Sequence, residues 1–288
     1  MEQGFMDWKA YRTVIYNDLK LLATSREQIL ETYREYLAVI DAKLPQFFGT
    51  LPKAMVMVVP VEEYREKQAA PASYAPGTPD GSRPGRIMVN TGDFQHRLLP
   101  RSENSAYHEG TPGHHLQLSI QQEMRDLPPF RQHSLYTAYI EGWGLYAERL
   151  GKELGMFQGP PNEFHRLASE QFRATRLVLD TGVHYKRWTR EQVVTFFHEH
   201  SIEPDTQIQS ETDRYIALPA QELAYKIGQL KFLELRKRAQ DQLGDKFDIR
   251  VFHDKVLSGG SLPLDVLDAQ INDWISKVKA GTLQKKGD

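Results

Sequence analysis

Apolar residues recur about every 3.6 positions along most of the chain, which predicts a largely helical protein. The pattern runs from Trp8 to Leu44, with Ser25 as a helix cap where it restarts. Further helices are predicted at Glu103–Asp126, Pro129–Leu154, Pro161–His184, Arg190–Ser201, Thr206–Ile216, Pro219–Gly244, Asp248–Val256 and Leu264–Ala280. The fold class expected is therefore mostly α.

Two short runs have the composition of strands instead. Met55–Val61 and Arg86–Thr91 are rich in β-branched and other strand-forming residues. Between them, Ala69–Pro84 is rich in Pro, Gly, Ser and Ala, which predicts a loop. Two or three short strands make the class α+β, with a small sheet. Its edge would either pair with an extended peptide by strand addition or belong to a hairpin that only supports the helices, and both interpretations stay open.

Composition excludes several classes of protein. A formal net charge of −2 gives no field that would draw nucleic acid or an anionic membrane. No run of about 18 apolar residues exists, so no membrane-spanning helix is expected. The absence of cysteine excludes disulfides and thiolate metal ligands. The chain does not start with a basic segment followed by an apolar one, so no signal peptide is expected and a cytoplasmic location is predicted.

Candidate chemistry concentrates in residues 107–117, Tyr-His-Glu-Gly-Thr-Pro-Gly-His-His-Leu-Gln. Three of the ten histidines lie there, His108, His114 and His115, with Glu109 directly after the first. Imidazole nitrogens and carboxylate oxygens, with one carboxylate left unligated as a base, are the donor set of a hydrolytic zinc site. The segment therefore predicts Zn²⁺ binding, and the alternative is a group of helix caps or surface histidines.

The spacing differs from His-Glu-x-x-His, in which two histidines four apart share one helical face. Position i+4 from His108 is Pro112, which cannot ligate a metal and lacks the N–H that would bond the His108 carbonyl. With Gly113 next, the helix is expected to break and to resume at His114, which then reaches the second ligand position. His115 is the rival: at i+7 it shares a face with His108 on an ideal helix but lies roughly 10 Å further along. Metal bonds of about 2.0–2.1 Å do not easily close that gap, so the sequence favours His114 and leaves His115 open.

A third ligand is expected from the next helix, in residues 139–148, Tyr-Ile-Glu-Gly-Trp-Gly-Leu-Tyr-Ala-Glu. Glu141 and Glu148 are seven residues apart and lie on nearly the same helical face, so periodicity does not choose between them. If Glu148 is not the ligand, it either orients a ligand imidazole or is a surface charge, and both interpretations stay open.

Together these two segments resemble the bacterial family known as domain of unknown function 885 (DUF885), which is grouped with zincin-type metallopeptidases. The resemblance covers most of the chain from about Tyr33 and extends to residues 90–91, 176–184, 214–219, 224–228, 252–254 and 260–264. Family members are usually longer, with a helical region before this part. The resemblance therefore implies a single zincin-like domain over residues 1–288, corresponding to their C-terminal half, with a small β-sheet beside the metal-binding helix.

The resemblance also implies that Glu141 is the third ligand, since gluzincin-like peptidases take a glutamate from the helix after the His-Glu helix. His108, His114 and Glu141 would then hold zinc, and Glu109 would act as general base. A hydrolase of this kind also needs a donor to the developing oxyanion and an anchor for substrate. The candidate catalytic residues for the oxyanion are Tyr215, His184 and Tyr225. The candidate substrate-binding residues are Arg214, Arg176 and Asn90.

The expected function is hydrolysis of peptide bonds in short peptides by a zinc metallopeptidase of oligopeptidase or carboxypeptidase type. Two other classes stay open, a zinc amidohydrolase acting on a small non-peptide amide and a non-catalytic metal-binding domain. Glu109 favours catalysis, because a domain that only stores or senses metal has no need of an unligated carboxylate beside its first ligand. The sequence does not choose between endo and exo cleavage and gives no oligomeric state.

Overall fold

The structure is a computed structural model and describes residues 7–282. Within this range the chain forms twelve α-helices: α1 Trp8–Asn17, α2 Arg26–Asp41, α3 Leu99–Glu109, α4 His114–Glu123, α5 Pro129–Gln132, α6 Thr137–Glu153, α7 Pro160–His184, α8 Arg190–His200, α9 Asp205–Ala217, α10 Gln221–Leu243, α11 Ile249–Leu257 and α12 Leu264–Lys279. Ser25 caps α2, as predicted, by accepting the N–H of Gln28. No helix among these residues is both long and apolar enough to cross a membrane.

Three short strands form one mixed sheet, which confirms the mostly α (α+β) class. They are β1 Val56–Pro60, β2 Ala72–Ala75 and β3 Gly85–Val89, in the order β1-β3-β2. The central strand β3 runs parallel to β1 and antiparallel to β2. The prediction of a loop over Ala69–Pro84 is wrong where β2 lies. Its prolines and glycines flank a strand of four residues, and pairing with β3 supplies hydrogen bonds that local composition does not indicate.

Two of the predicted helices are each split into two. Glu103–Asp126 is α3 and α4, separated by residues 110–113 with a cis Thr111–Pro112 peptide, so the predicted break and the restart at His114 are confirmed. The prediction of one helix over Pro129–Leu154 is wrong, since α5 and α6 are separate. The N–H of Tyr136 is donated to Ser261 Oγ rather than to a helical carbonyl. No proline or glycine between α5 and α6 indicates the break in the sequence.

The largest hydrophobic cluster contains side chains of α2, the sheet, α3, α6, α10, α11 and α12. Its most extensive helix contact joins α6 and α10. A Cβ built on Gly142 would lie 2.4 Å from the Cα of Gly228, so only glycine allows this close approach. A second cluster, built from α7, α8 and α9, includes Phe172, Phe197 and Tyr215.

Helix α11 packs behind Trp143, the buried centre of the larger cluster. His253 donates Nδ1–H to the Phe47 carbonyl and accepts the hydroxyl of Tyr146 at Nε2. Burial lowers the pKa of His253 to about 3, so the ring is neutral at pH 7. This bonding fixes α6, which carries Glu141, against the C-terminal helices.

Candidate metal centre

Side chains from three different helices converge on one point. His108 ends the buried part of α3, His114 begins α4, and Glu141 lies in the second turn of α6. One donor atom of each lies within 4.8 Å of the other two. Glu141 Oε2 is 3.4 Å from His108 Nε2 and 3.5 Å from His114 Nε2. Metal bonds of about 2.0–2.1 Å at tetrahedral angles separate donor atoms by about 3.3–3.4 Å, so the spacing fits zinc.

One donor atom of this centre has no hydrogen-bond partner among the described residues. Among residues 7–282, Glu141 Oε2 is buried and accepts no hydrogen bond. Burial raises the pKa of Glu141, but the two imidazoles lower it well below its usual range. Burial lowers the pKa of His108, but Glu141 and Glu148 raise it to about 10. The carboxylates of Glu141 and Glu148 thus favour a positive charge at this point, which a divalent metal ion would supply together with a bond to Glu141 Oε2.

Glu148 orients the first of these imidazoles. Its Oε1 is 2.7 Å from His108 Nδ1, and the side chain is almost completely buried. Because Nδ1–H is donated to this carboxylate, Nε2 is the ring nitrogen that remains to bind a metal ion. Asn104 and Ser169 donate hydrogen bonds to Oε2 of Glu148, which fixes the carboxylate from both α3 and α7. The contact agrees with an orienting role and excludes a surface charge.

The turn between α3 and α4 brings the two imidazoles together. The indole N–H of Trp143 is donated to the carbonyl of Pro112 at 2.9 Å. A Cβ on Gly113 would lie 2.0 Å from the His108 carbonyl oxygen, and one on Gly144 would lie 2.6 Å from the His108 ring. The two glycines therefore permit the tight turn and the close passage of α6 under the ring.

His115 points away from the other donors and toward the sheet. Its Nδ1 is 3.0 Å from the hydroxyl of Tyr74 on β2 and 3.3 Å from Ser119 Oγ. Burial lowers the pKa of His115 to about 4, so it is neutral at pH 7. In the described part of the chain, the donor cluster contains His114 and not His115, as the predicted helix break requires.

Glu109 is the last residue of α3 and follows His108 directly. Its side chain is half-buried and forms no hydrogen bond or ion pair with any residue between 7 and 282. Its charge acts on both His108 and Tyr33. The structure therefore holds a free carboxylate next to the donor cluster, which is what a general base at such a centre requires.

Comparison with known proteins bears on the identity of this chain. A family described as bacterial protein of unknown function (DUF885) matches residues 2–271. The chain belongs to the DUF885 family. This confirms the resemblance found in the sequence, and no curated protein matches the chain significantly.

Two solved structures resemble this DUF885 chain, and both are described as putative lipoproteins. The one from Colwellia psychrerythraea has a TM-score of 0.91 and 36% sequence identity, covering 96% of this chain and 48% of that chain. The one from Shewanella oneidensis has a TM-score of 0.76 and 21% identity, covering 94% of this chain and 51% of that one, and shares the fold. The chain thus spans about half the length of these relatives.

Of the predicted oxyanion donors in the DUF885 chain, Tyr225 lies beside the centre. It sits early in α10, and its ring stacks on that of His108 with centroids 6.4 Å apart and planes 23° apart. Its hydroxyl accepts a hydrogen bond from Gln221 at 3.2 Å. Tyr225 is therefore the predicted donor that the fold brings into contact with a candidate ligand.

Tyr215 and His184 have different surroundings. Tyr215 is fully buried in the second cluster, and its hydroxyl accepts a hydrogen bond from Arg176 Nε at 3.1 Å. His184 Nε2 donates to the carbonyl of Tyr215 at 2.8 Å. These contacts join α7 to α9, and they do not support the predicted role of either residue toward an oxyanion.

The predicted substrate anchors are also engaged elsewhere. Arg176 is buried and lies 2.6 Å from both Glu211 and Glu222, and Arg214 pairs with the same two carboxylates at 3.4 and 3.2 Å. Their charges are compensated inside the protein, so neither guanidinium is free for a substrate carboxylate. Asn90 donates its amide to the carbonyls of Glu66 and Ala69, which closes the segment after β1 onto the end of β3.

Sequence reasoning missed two residues of the centre, Asn104 and Ser169. Asn104 precedes His108 by four residues and therefore lies on the same face of α3, a spacing that is visible in the sequence. Ser169 lies on α7, and only the packing of α7 against α3 brings it to Glu148. No local pattern indicates it.

Glu148→Gln is expected to weaken zinc binding about 10- to 100-fold, because the amide no longer fixes the His108 ring as a carboxylate does. Competition against a chromophoric chelator at pH 7 measures the change in Kd. Glu153→Gln is the matched control, since Glu153 lies on the same helix but pairs with Arg236 at the surface. Equal affinity in the two variants would show that Glu148 does not act on the centre.

Proposed function

We propose that this protein is a zinc-dependent hydrolase that cleaves peptide bonds of short peptides. The proposal rests on the cluster of donor atoms from His108, His114 and Glu141, with the unpaired carboxylate of Glu109 beside it. Three protein ligands leave one tetrahedral position for water or substrate, which is the arrangement of catalytic rather than structural zinc sites.

The residues have distinct tasks in this proposal. Zinc, when bound, lowers the pKa of a coordinated water toward about 7 and polarises the scissile carbonyl. Glu109 accepts a proton from the attacking water as the new carbon–oxygen bond forms. It then gives that proton to the amine as the carbon–nitrogen bond breaks. Glu148 keeps the His108 ring in the orientation and tautomer that a metal ligand needs.

The edge of the sheet supports a peptide as the substrate. β2 pairs with β3 on one side, and no strand within residues 7–282 pairs with its other edge. The Tyr74–His115 hydrogen bond ties this free edge to the residue after His114. An extended peptide would add to such an edge through backbone hydrogen bonds beside the metal helix, an interaction that a small amide cannot make.

We expect Tyr225→Phe to lower kcat about 10²- to 10³-fold with KM and zinc content nearly unchanged, the cost of one lost oxyanion donor. Tyr215→Phe is the matched comparison and should leave kcat close to wild type while lowering the free energy of unfolding by about 1 kcal/mol. Steady-state kinetics and urea unfolding of both variants measure these effects. The reverse order would return the oxyanion role to Tyr215, the first candidate from the sequence.

Assays of the zinc-loaded protein against acetylated peptides and small non-peptide amides test the proposed function. The protein is expected to cleave the peptides. A chelator should abolish this cleavage, and added zinc should restore it. Cleavage of the small amides alone would make the protein an amidohydrolase instead. The cytoplasmic location stays a prediction, since the two solved relatives are described as putative lipoproteins.

A further inference from the structure

Three guanidinium groups lie close together beside Tyr225. Arg173 and Arg176 are three residues apart on one side of α7, and each lies over the Tyr225 ring, with Cζ 5.0 and 5.1 Å from its centroid. Arg214 joins them from α9. The carboxylates in ion pairs with this group are Glu211 and Glu222, and both are engaged by Arg176 and Arg214. The ion pairs of Glu211 and Glu222 therefore involve two of the three guanidinium groups.

Arg173 is the member of this group without an ion pair among the described residues. Its guanidinium forms no ion pair or hydrogen bond with any residue in the described range 7–282, and its Nε is buried without an acceptor. The side chain is half-buried, so water hydrates it only in part. A guanidinium that lies over the rings of Phe172 and Tyr225 and has no protein acceptor can receive a planar, bidentate acceptor such as a carboxylate.

The location of Arg173 relates it to the metal centre. Tyr225 is in contact with Arg173 on one side and with the candidate ligand His108 on the other. The charge of Arg173 also acts on Glu148, the carboxylate that orients His108. The ring centroids of His108 and Tyr225 are 6.4 Å apart, and Arg173 Cζ is 5.0 Å from the Tyr225 centroid. Since an extended residue spans about 3.3–3.6 Å, one to three residues of a substrate cover the separation between the centre and this guanidinium.

We infer that Arg173 binds the C-terminal carboxylate of the substrate, which makes the enzyme a carboxypeptidase acting on short peptides. The inference rests on the proposed function and narrows its substrate class. Arg173 takes the role that the sequence assigned to Arg176 or Arg214, because those two are already neutralised. A site built to pair a carboxylate rejects an amide, since the amide has no negative charge and offers one acceptor oxygen instead of two.

Matched substrates test this inference. Acetylated dipeptides with alanine, phenylalanine or lysine at the end are prepared as free acids and as C-terminal amides. The zinc-loaded wild type should cleave the best free acid with kcat/KM about 10²-fold above its amide, and Arg173→Gln should lower the value for the acid about 10- to 100-fold. The value for the amide should change less than about threefold. Arg173→Lys keeps the positive charge but not the two parallel N–H donors of a guanidinium, so its kcat/KM for the acid should lie between those of the wild type and Arg173→Gln.

The control is Arg190→Gln, because Arg190 is exposed on α8 and pairs with Asp213. It should leave both substrates unchanged. Equal cleavage of acid and amide by the wild type, or equal losses on both substrates in Arg173→Gln, would overturn the inference while the hydrolase proposal stands.

A binding measurement separates the two proposals. In a Glu109→Gln background, calorimetry with the same acids and amides reports affinity without turnover. Adding Arg173→Gln should weaken binding of the acid about 10- to 100-fold. This result would support the carboxylate site even if the wild type cleaved no peptide and the proposed function failed. Equal affinity for acid and amide, or no binding of either, overturns the inference.

Discussion

Replacing Glu109 with glutamine is expected to abolish nearly all turnover while leaving zinc content and the fold unchanged. Glutamine keeps the shape of the side chain but cannot accept a proton, and general-base assistance is worth about 10²- to 10⁴-fold. The wild-type carboxylate makes no hydrogen bond or ion pair within residues 7–282, so the substitution removes no structural contact there. The fall should therefore appear in kcat, with KM little changed.

Steady-state kinetics with parallel zinc analysis measures the effect. Glu191→Gln is the control, since Glu191 is exposed on α8 and distant in sequence from the centre. A variant whose kcat stays within a few-fold of wild type would remove the hydrolase proposal. Loss of zinc together with activity would show instead that Glu109 is a ligand.

The second large effect distinguishes two adjacent histidines. His114→Ala should retain less than about a tenth of the wild-type zinc after dialysis, because one of three protein ligands is gone. His115→Ala should keep its zinc and instead lose about 1–3 kcal/mol of stability, since the hydroxyl of Tyr74 loses its 3.0 Å bond to the ring and keeps only the longer one to Ser119. The pair is well matched, because both side chains are buried imidazoles on the first turn of α4.

Elemental analysis and urea unfolding of these two variants are the measurements. The reverse result, with zinc lost from His115→Ala and kept by His114→Ala, would mean that α4 starts in a different register after the turn. It would also contradict the contact between His114 and Glu141.

Local chemistry in the sequence was enough to predict the turn at the centre. Pro112 removes a helical N–H and Gly113 follows it, which predicted a break there and a new helix from His114. Periodicity likewise predicted most helices. It could not choose between Glu141 and Glu148, because residues seven apart share a face, and the choice depends on which side chain the facing helices meet.

The remaining assignments depended on partners distant in the chain. Arg176 was a reasonable substrate anchor in the sequence, but Glu211 and Glu222 come from α9 and α10 and neutralise it. Arg173, three residues earlier on the same helix, lacks such partners, which no local pattern reveals. The strand β2 was missed for a related reason, since its hydrogen bonds come from β3 rather than from its own composition.

The most direct test of the central claim, that His108, His114 and Glu141 hold zinc, is the metal content of protein purified without added metal. Inductively coupled plasma mass spectrometry should find close to one zinc per chain in the wild type and almost none in His108→Ala or Glu141→Ala. Full zinc occupancy in those two variants would contradict the account, because the ion would then be held by other residues.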